Sequence, residues 1–314
     1  MNKITIIGSG SVGSTIAYTA TVMGLASDIV MIDINEEKAL GEALDIRQGI
    51  PFCNPATVRA GSYQDAVDSD IVIITSGLPR KPGQTRLDLA QANVNIMKQI
   101  ATEIVKYAPK ATYVIVSNPV DILTYVFCKT TGIPEKRVIG SGTILDTSRL
   151  RARIAEYYSV NQKNVHAYVL GEHGDSCFVP WSVANISNVP INEYGKSVKV
   201  PGIDFPELKY DEVEEYVKKS GARIISRKGA TFYAVSISVC HIIKCLLSGM
   251  DTTLTVSTML NGEYGIDDVC LSLVNVVGHK GAHSKVILPL NDAELKALHF
   301  SAQTLKDTIS KISW

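Results

Sequence analysis

Residues 3–33 have the sequence KITIIGSGSVGSTIAYTATVMGLASDIVMID. A short β-branched run is followed by the pattern G-x-G-x-x-G at residues 8–13 and then by the apolar spacing of a helix up to Leu25. A second apolar run begins at Asp28 and ends at Asp33. This order predicts a strand, a glycine-rich turn, a helix and a second strand that ends in an acid, which is the arrangement of a dinucleotide-binding unit.

Each residue of the turn has a separate task in such a unit. Gly8 permits the tight turn, Gly10 lets the backbone approach a pyrophosphate, and Gly13 lets the helix pack closely on the strand. The helix N-terminus, which includes Val12, offers free N–H groups to phosphates. Asp33 can accept hydrogen bonds from a ribose hydroxyl and would repel a 2′-phosphate, so NAD is favoured over NADP. The alternative is an ordinary turn followed by an aspartate that caps the next helix.

The first half of the chain continues the same alternation. Apolar runs lie at residues 71–75 and 112–117, and helical patterns lie at 36–47 and 86–107. Strands that are apolar on both faces and alternate with helices predict an α/β fold, a Rossmann-like doubly wound parallel sheet covered on both sides.

The second half changes character. Residues 165–170 alternate as in a half-exposed strand, and Asn261–Gly265 is typical of a hairpin turn. We therefore expect a Rossmann-like NAD-binding domain at residues 1–143, followed by an α+β substrate domain at residues 144–314. No linker-like segment separates the two halves, so we expect them to share one rigid interface.

Composition excludes several classes of function. The 314 residues are 46% hydrophobic and 20% charged, which excludes a disordered chain. Equal numbers of basic and acidic residues, 31 each, argue against a nucleic-acid partner. The six cysteines form no CxxC pair, and no run of 18 apolar residues occurs, so we expect no metal site and no membrane span. A cytoplasmic protein is the resulting expectation.

Candidate proton-transfer groups lie in the second half. His173 stands between glycines in GEHGD, directly after the predicted strand at 165–170, so we expect it to be exposed where ligands meet sheets. Asp146 and Arg149 are three residues apart, on one face of a predicted helix. A carboxylate beside an imidazole raises the pKa of the imidazole, and an arginine can bind a substrate carboxylate with two hydrogen bonds. A surface histidine and a plain ion pair are the alternatives.

Six motifs in order resemble the L-lactate/malate dehydrogenase superfamily over essentially the whole chain. They are GSGSVG, MIDIN, PGQTRLDL, SNPVDILTY, GSGTILDTSRLR and GEHGDS. The resemblance implies reversible hydride transfer between NADH and a small 2-keto acid. It also implies that His173 donates and accepts the proton, that Asp146 orients it, and that Arg149 anchors the substrate carboxylate.

The resemblance assigns further residues. Arg86 resembles the lid arginine that polarises the carbonyl, and Asn118 resembles a hydrogen-bond donor near the carbonyl and the nicotinamide. Thr231 falls where lactate-type members line the substrate pocket. Arg151 and His166 resemble the fructose 1,6-bisphosphate effector site of bacterial lactate dehydrogenases, although local surface ion pairing is an equal alternative. The resemblance also suggests a homo-oligomer, with a tetramer favoured over a dimer.

The sequence gives conflicting signals about which keto acid is the substrate. The segments RLDL, VPWS and GATFY look lactate-type, but Arg80 stands at a lid position where lactate-type members usually have a neutral residue and malate-type members have arginine. Arg80 could pair with the second carboxylate of oxaloacetate and would lack a partner beside the methyl group of pyruvate. We expect a lactate dehydrogenase framework that allows or favours oxaloacetate and L-malate. The alternatives are a malate dehydrogenase with little pyruvate activity and a catalytically silent NAD-binding module.

Overall fold

The structure, a computed structural model, describes residues 2–79, 85–198, 205 and 207–313, and only the backbone at Arg86. Arg80, the predicted specificity residue, therefore lies outside the described residues. The helices in the described part are α1 (Ser11–Val22), α2 (Glu36–Gln48), α3 (Arg86–Tyr107), α4 (Val120–Thr131), α5 (Ile144–Tyr158), α6 (Ile191–Ser197), α7 (Tyr210–Lys228), α8 (Tyr233–Leu246) and α9 (Asp292–Ile309).

The strands alternate with these helices in the first half and follow one another in part of the second. They are β1 (Lys3–Ile7), β2 (Asp28–Ile32), β3 (Thr57–Ala60), β4 (Ile71–Ile74), β5 (Thr112–Ile115), β6 (Val138–Gly140), β7 (Val165–His166), β8 (Asn185–Ile186), β9 (Val189–Pro190), β10 (Thr252–Asn261), β11 (Asp267–Gly278) and β12 (Gly281–Lys285).

One sheet of nine strands organises the molecule, in the order β12-β11-β10-β6-β5-β4-β1-β2-β3. The six strands β1 to β6 are parallel. Because β1 pairs with β2 on one side and β4 on the other, the order in which strands are added to the sheet reverses there, and ligands of such sheets bind beyond the carboxyl ends of these strands. The four residues of β4 and of β5 are all buried, as expected for strands covered on both faces. The predicted fold class is confirmed.

The second half adds strands to the same sheet. β10 pairs antiparallel with β6 through Ser257 and Gly140, and β10, β11 and β12 form a meander around the predicted hairpin. A separate three-stranded sheet contains β7, β8 and β9. The predicted strand at 165–170 is shorter than expected, because Leu170 and Gly171 leave that sheet and bridge to Phe178 and Ser272. In the described part of the chain, no helix has the length and apolarity to cross a membrane.

Candidate active site

The glycine-rich turn joins β1 to α1 at the carboxyl end of the sheet. Gly8 has a φ of +105°, and a Cβ placed on Gly13 would lie 1.8 Å from the Gly8 carbonyl oxygen, so neither position accepts a side chain. No described atom lies within 4 Å of a Cβ placed on Gly10, so the backbone there is open to a ligand. The N-terminus of α1, with Val12 in its first turn, has no side-chain cap. Its N–H groups can therefore bind a phosphate group.

Asp33 directly follows β2 and is fixed beside this turn. Its Oδ2 accepts a hydrogen bond from the Ser9 N–H at 2.6 Å, and its Oδ1 accepts one from the Asn35 N–H at 2.9 Å. Helix α2 is capped by Asn35, which accepts from the Lys38 N–H, so the alternative role of Asp33 as the helix cap is wrong. A carboxylate has about four acceptor positions, and the partly exposed Asp33 retains capacity for a ribose hydroxyl.

The predicted proton-transfer residues meet at the start of α5. The Asp146 carboxylate lies between two partners, with Oδ2 2.6 Å from His173 Nδ1 and Oδ1 2.9 Å from Arg149 Nη1. Asp146 is buried, whereas 28% of the His173 side chain and 15% of the Arg149 side chain are exposed. His173 is thus half-buried rather than exposed as expected, because its loop packs against α9, where Ser301 Oγ accepts from the Glu172 N–H at 2.8 Å.

This arrangement sets the charges of the pair. Burial alone disfavours the charge on Asp146, but the nearby charges and hydrogen bonds of His173 and Arg149 outweigh it and hold the pKa of Asp146 below its usual value. Burial likewise disfavours the charged His173, but the Asp146 carboxylate outweighs it and raises the pKa of His173. The imidazole therefore carries its second proton more readily than a free histidine, as a proton donor at neutral pH requires.

A small cleft brings His173 and Asn118 together. Asn118 follows β5 and lines this cleft with His173, Ser141 of the β6–α5 connection and Val235 of α8. Thr231 lies in the connection between α7 and α8, four residues before Val235. The predicted proton donor His173 and Asn118 thus line one cleft, and the predicted anchor Arg149 is joined to His173 through Asp146.

Comparison with known proteins gives this arrangement a family. Residues 2–140 match the lactate/malate dehydrogenase NAD binding domain, and residues 143–313 match the lactate/malate dehydrogenase alpha/beta C-terminal domain. The chain belongs to the lactate/malate dehydrogenase family. Its cofactor is NAD.

Relatives and solved structures cover nearly the whole chain. An L-lactate dehydrogenase of Thermoanaerobacterium saccharolyticum is 45% identical over 313 residues, covering 99% of both chains. L-lactate dehydrogenase 1 of Clostridium acetobutylicum is 46% identical over 312 residues, covering 99% of this chain and 98% of its own. The solved minor L-lactate dehydrogenase of Enterococcus mundtii superposes with a TM-score of 0.94 at 38% identity, covering 99% of this chain and 98% of that chain.

The residues of this family member fit the cofactor. The open Gly10 backbone and the uncapped α1 N-terminus offer N–H groups to the pyrophosphate, and Asp33 offers acceptors to the ribose. Asn118 lies in the cleft where the nicotinamide end would have to meet His173. No cluster of three or more metal-ligating side chains occurs among the residues that the structure describes.

Asp121 is a site residue that sequence reasoning missed. Its Oδ2 accepts a hydrogen bond from the His173 backbone N–H at 2.7 Å, so it holds the loop that carries the predicted proton donor. Burial in the first turn of α4 raises the pKa of Asp121 to about 6. An aspartate at the start of the apolar run VDILTYVF was the available signal, because an acid in a buried helix needs a specific partner.

The predicted effector residues Arg151 and His166 lie on adjacent elements, α5 and β7, but differ in environment. The Arg151 Nε donates to the Ala167 carbonyl oxygen at 3.0 Å, and its guanidinium lies 5.2 Å from the centre of the Tyr168 ring. Burial lowers the pKa of Arg151, which lines a cavity with Lys163 and His241. His166, beside Ala167 in β7, is exposed and does not line that cavity.

Proposed function

We propose that this family member is an NAD-dependent L-2-hydroxy-acid dehydrogenase that interconverts pyruvate and L-lactate. The observation that carries the proposal is the contact of 2.6 Å between Asp146 and a half-buried His173 in the cleft that also contains Asn118. The names of the relatives at 45% identity support the lactate assignment. A catalytically silent NAD-binding module would not need the pair of Asp146 and His173 beside the anchor Arg149.

Bound NADH supplies a hydride to the C2 carbon of the keto acid. Asp146 occupies the Nδ1 side of His173, so Nε2 is the ring nitrogen left to deliver a proton to the carbonyl oxygen as negative charge forms there. Arg149 donates a hydrogen bond from Nη1 to Asp146 Oδ1 at 2.9 Å, and the rest of its guanidinium is left to bind the substrate carboxylate. Arg86 follows the cap Thr85 at the start of α3 and is proposed to polarise the carbonyl.

A second substrate, oxaloacetate, is favoured by one residue. By the family resemblance, Arg80 stands at the sequence position where family members read the group on C3 of the substrate, and its charge is permanent at neutral pH. Pairing with a second carboxylate would stabilise oxaloacetate, whereas closure over pyruvate would leave this charge without a partner, at a cost of several kcal/mol unless the side chain reaches water. We propose that the enzyme accepts both acids, with Thr231 contributing to the pocket wall.

The test is the loss of NADH absorbance with pyruvate and with oxaloacetate, measured side by side for the wild type and Arg80→Gln. We expect the ratio of kcat/KM for oxaloacetate to that for pyruvate to fall at least about tenfold in the variant, the effect of roughly 1.4 kcal/mol. Arg47→Gln, on the exposed end of α2, is the matched control. An unchanged ratio would sink the role of Arg80, and no turnover of either acid would sink the proposed activity.

Assembly and regulation are separate proposals. We propose a homo-oligomer, because large apolar side chains are exposed on α1, α2 and α8; they include Tyr18 at 59%, Leu40 at 44% and Ile237 at 60%. The family resemblance favours a tetramer over a dimer. Sedimentation analysis tests this proposal.

We also propose that Arg151 and His166 bind fructose 1,6-bisphosphate, which should lower the pyruvate half-saturation value. The division of the chain into an NAD-binding domain at residues 1–143 and a substrate domain at residues 144–314 remains a prediction, as does a cytoplasmic location.

A further inference from the structure

Asn93 is a buried amide that joins two segments of the site to α3. It is 3% exposed. Its Oδ1 accepts a hydrogen bond from the Leu78 N–H at 2.8 Å, and its Nδ2 donates to the Asn118 carbonyl oxygen at 2.7 Å and to the Leu78 carbonyl oxygen at 3.3 Å. Three of the four hydrogen-bonding positions of the side chain are therefore used on backbone groups.

The two segments held by Asn93 have different tasks. The segment that ends at Leu78 begins at Thr75, whose Oγ1 donates to the Gly8 carbonyl oxygen of the glycine-rich turn at 2.9 Å. The other segment contains Ser117, whose Oγ donates to the Ser76 carbonyl oxygen at 2.6 Å, and then Asn118 in the cleft. Hydrogen bonds thus join residues 75–78 to the glycine-rich turn at one end and, through Ser117 and Asn93, to the Asn118 segment at the other.

We propose that Asn93 is a positioning residue, which sets the Asn118 backbone relative to the cofactor turn so that the Asn118 amide meets the reacting groups. The inference rests on the proposed dehydrogenase function. An amide suits this place because it carries two donors and an acceptor on one short side chain, which satisfy two carbonyl groups and one N–H. Displacement of a positioned group by about 1 Å can reduce a rate about 100-fold.

Asn93→Asp is the sharpest variant, because it changes one atom and removes both donors when the carboxyl is ionised. The carboxylate keeps the bond to the Leu78 N–H but faces the Asn118 and Leu78 carbonyl oxygens with negative charge. We expect kcat/KM for pyruvate at pH 8 to fall about 10–100-fold. The affinity for NADH, measured by fluorescence titration, should stay within about threefold, because the Gly10 and Asp33 contacts are untouched.

Two further readouts separate positioning from a loss of stability. The kinetic isotope effect with NADH deuterated at the transferred position should increase, because a misplaced Asn118 slows the hydride step. Lowering the pH protonates the introduced carboxyl, which then regains one of the two donors of the amide and keeps an acceptor for the Leu78 N–H. Since all three partners of Asn93 are backbone groups that do not titrate, the ratio of variant to wild-type kcat/KM should rise at least about tenfold between pH 8 and pH 5.5.

Asn95→Asp is the matched control, with the same chemical change two residues along α3 at an exposed position, and it should leave all these values unchanged. Asn93→Ser is a second variant for the case in which Asn93→Asp does not fold, and its kcat/KM should fall with little change in NADH affinity. The proposal is overturned if a folded variant at Asn93 has the wild-type kcat/KM, or if its NADH affinity falls by the same factor as its kcat/KM. It is also overturned if neither variant folds. A wild type that reduces no keto acid overturns the proposed function as well.

Discussion

Replacing Asp146 with asparagine tests the charge pair at the centre of the site. Asp146 Oδ2 and His173 Nδ1 are 2.6 Å apart, so their charge centres lie roughly 4 Å apart. At an effective dielectric constant of about 20 two such charges attract each other by about 4 kcal/mol. Because 28% of the His173 side chain is exposed, solvent screens part of this energy. We expect the pKa of His173 to fall, because the asparagine no longer favours the charged imidazole.

The assay is kcat/KM for pyruvate between pH 5 and pH 9 at saturating NADH. Pyruvate reduction needs the protonated imidazole, so the wild-type rate should be full below the raised pKa of His173 and fall as the pH rises through it. In Asp146→Asn the midpoint should move to lower pH, and the now unpaired Arg149 adds to this shift because its charge lowers the same pKa. At pH 8 the loss should be about 10–100-fold, and at pH 5.5 it should be smaller.

Asp307→Asn, on the exposed face of α9, is the control and should keep the wild-type profile. A profile for Asp146→Asn with the wild-type midpoint, or a loss of equal size at every pH, would refute the electrostatic reasoning. The second result would assign Asp146 a purely geometric role.

Four other substitutions test separate parts of the structure. Gly13→Val places its Cβ 1.8 Å from the Gly8 carbonyl oxygen, so NADH titration should show little binding, and the melting temperature should fall with a cost of about 1–3 kcal/mol. Asp33→Ser removes the acceptor and the repulsive charge, so the NADH dissociation constant should rise about tenfold while NADPH becomes a usable cofactor. Arg149→Lys loses the planar fork, so the KM for pyruvate should rise about 10–100-fold with NADH affinity unchanged. The pKa of Asp121 is raised to about 6, so ionisation of Asp121 should cost the folded state up to about 3 kcal/mol as the pH rises from about 4 to above 6. Denaturant titration should show that Asp121→Asn lacks this component, and identical pH dependence in both proteins would contradict the burial of a charge there.

Much of the first half could be predicted because its signals are local. The boundaries of α3 match the predicted residues 86–107, since the cap Thr85 and the apolar spacing both lie within the helix sequence. Strand β3 was missed because it is an edge strand in which only Val58 is buried, so it carries no apolar run. The segment at 165–170 has the predicted alternation of burial but pairs as a strand at only two residues, because its pairing depends on distant partners.

The sequence by itself determined the glycine-rich turn, the acid at the end of β2 and the candidate proton donor His173, because periodicity, glycines and the family motifs are local patterns of neighbouring residues. Only the tertiary structure decided which side chains of the site contact one another and how deeply they are buried. The contacts of His173 with Asp146 and Asp121 join residues 27 and 52 positions apart, and those of Asn93 join positions 15 and 25 apart. Such distances, together with the burial that shifts the pKa values, arise from the packing of sheet and helices and have no local pattern to reveal them.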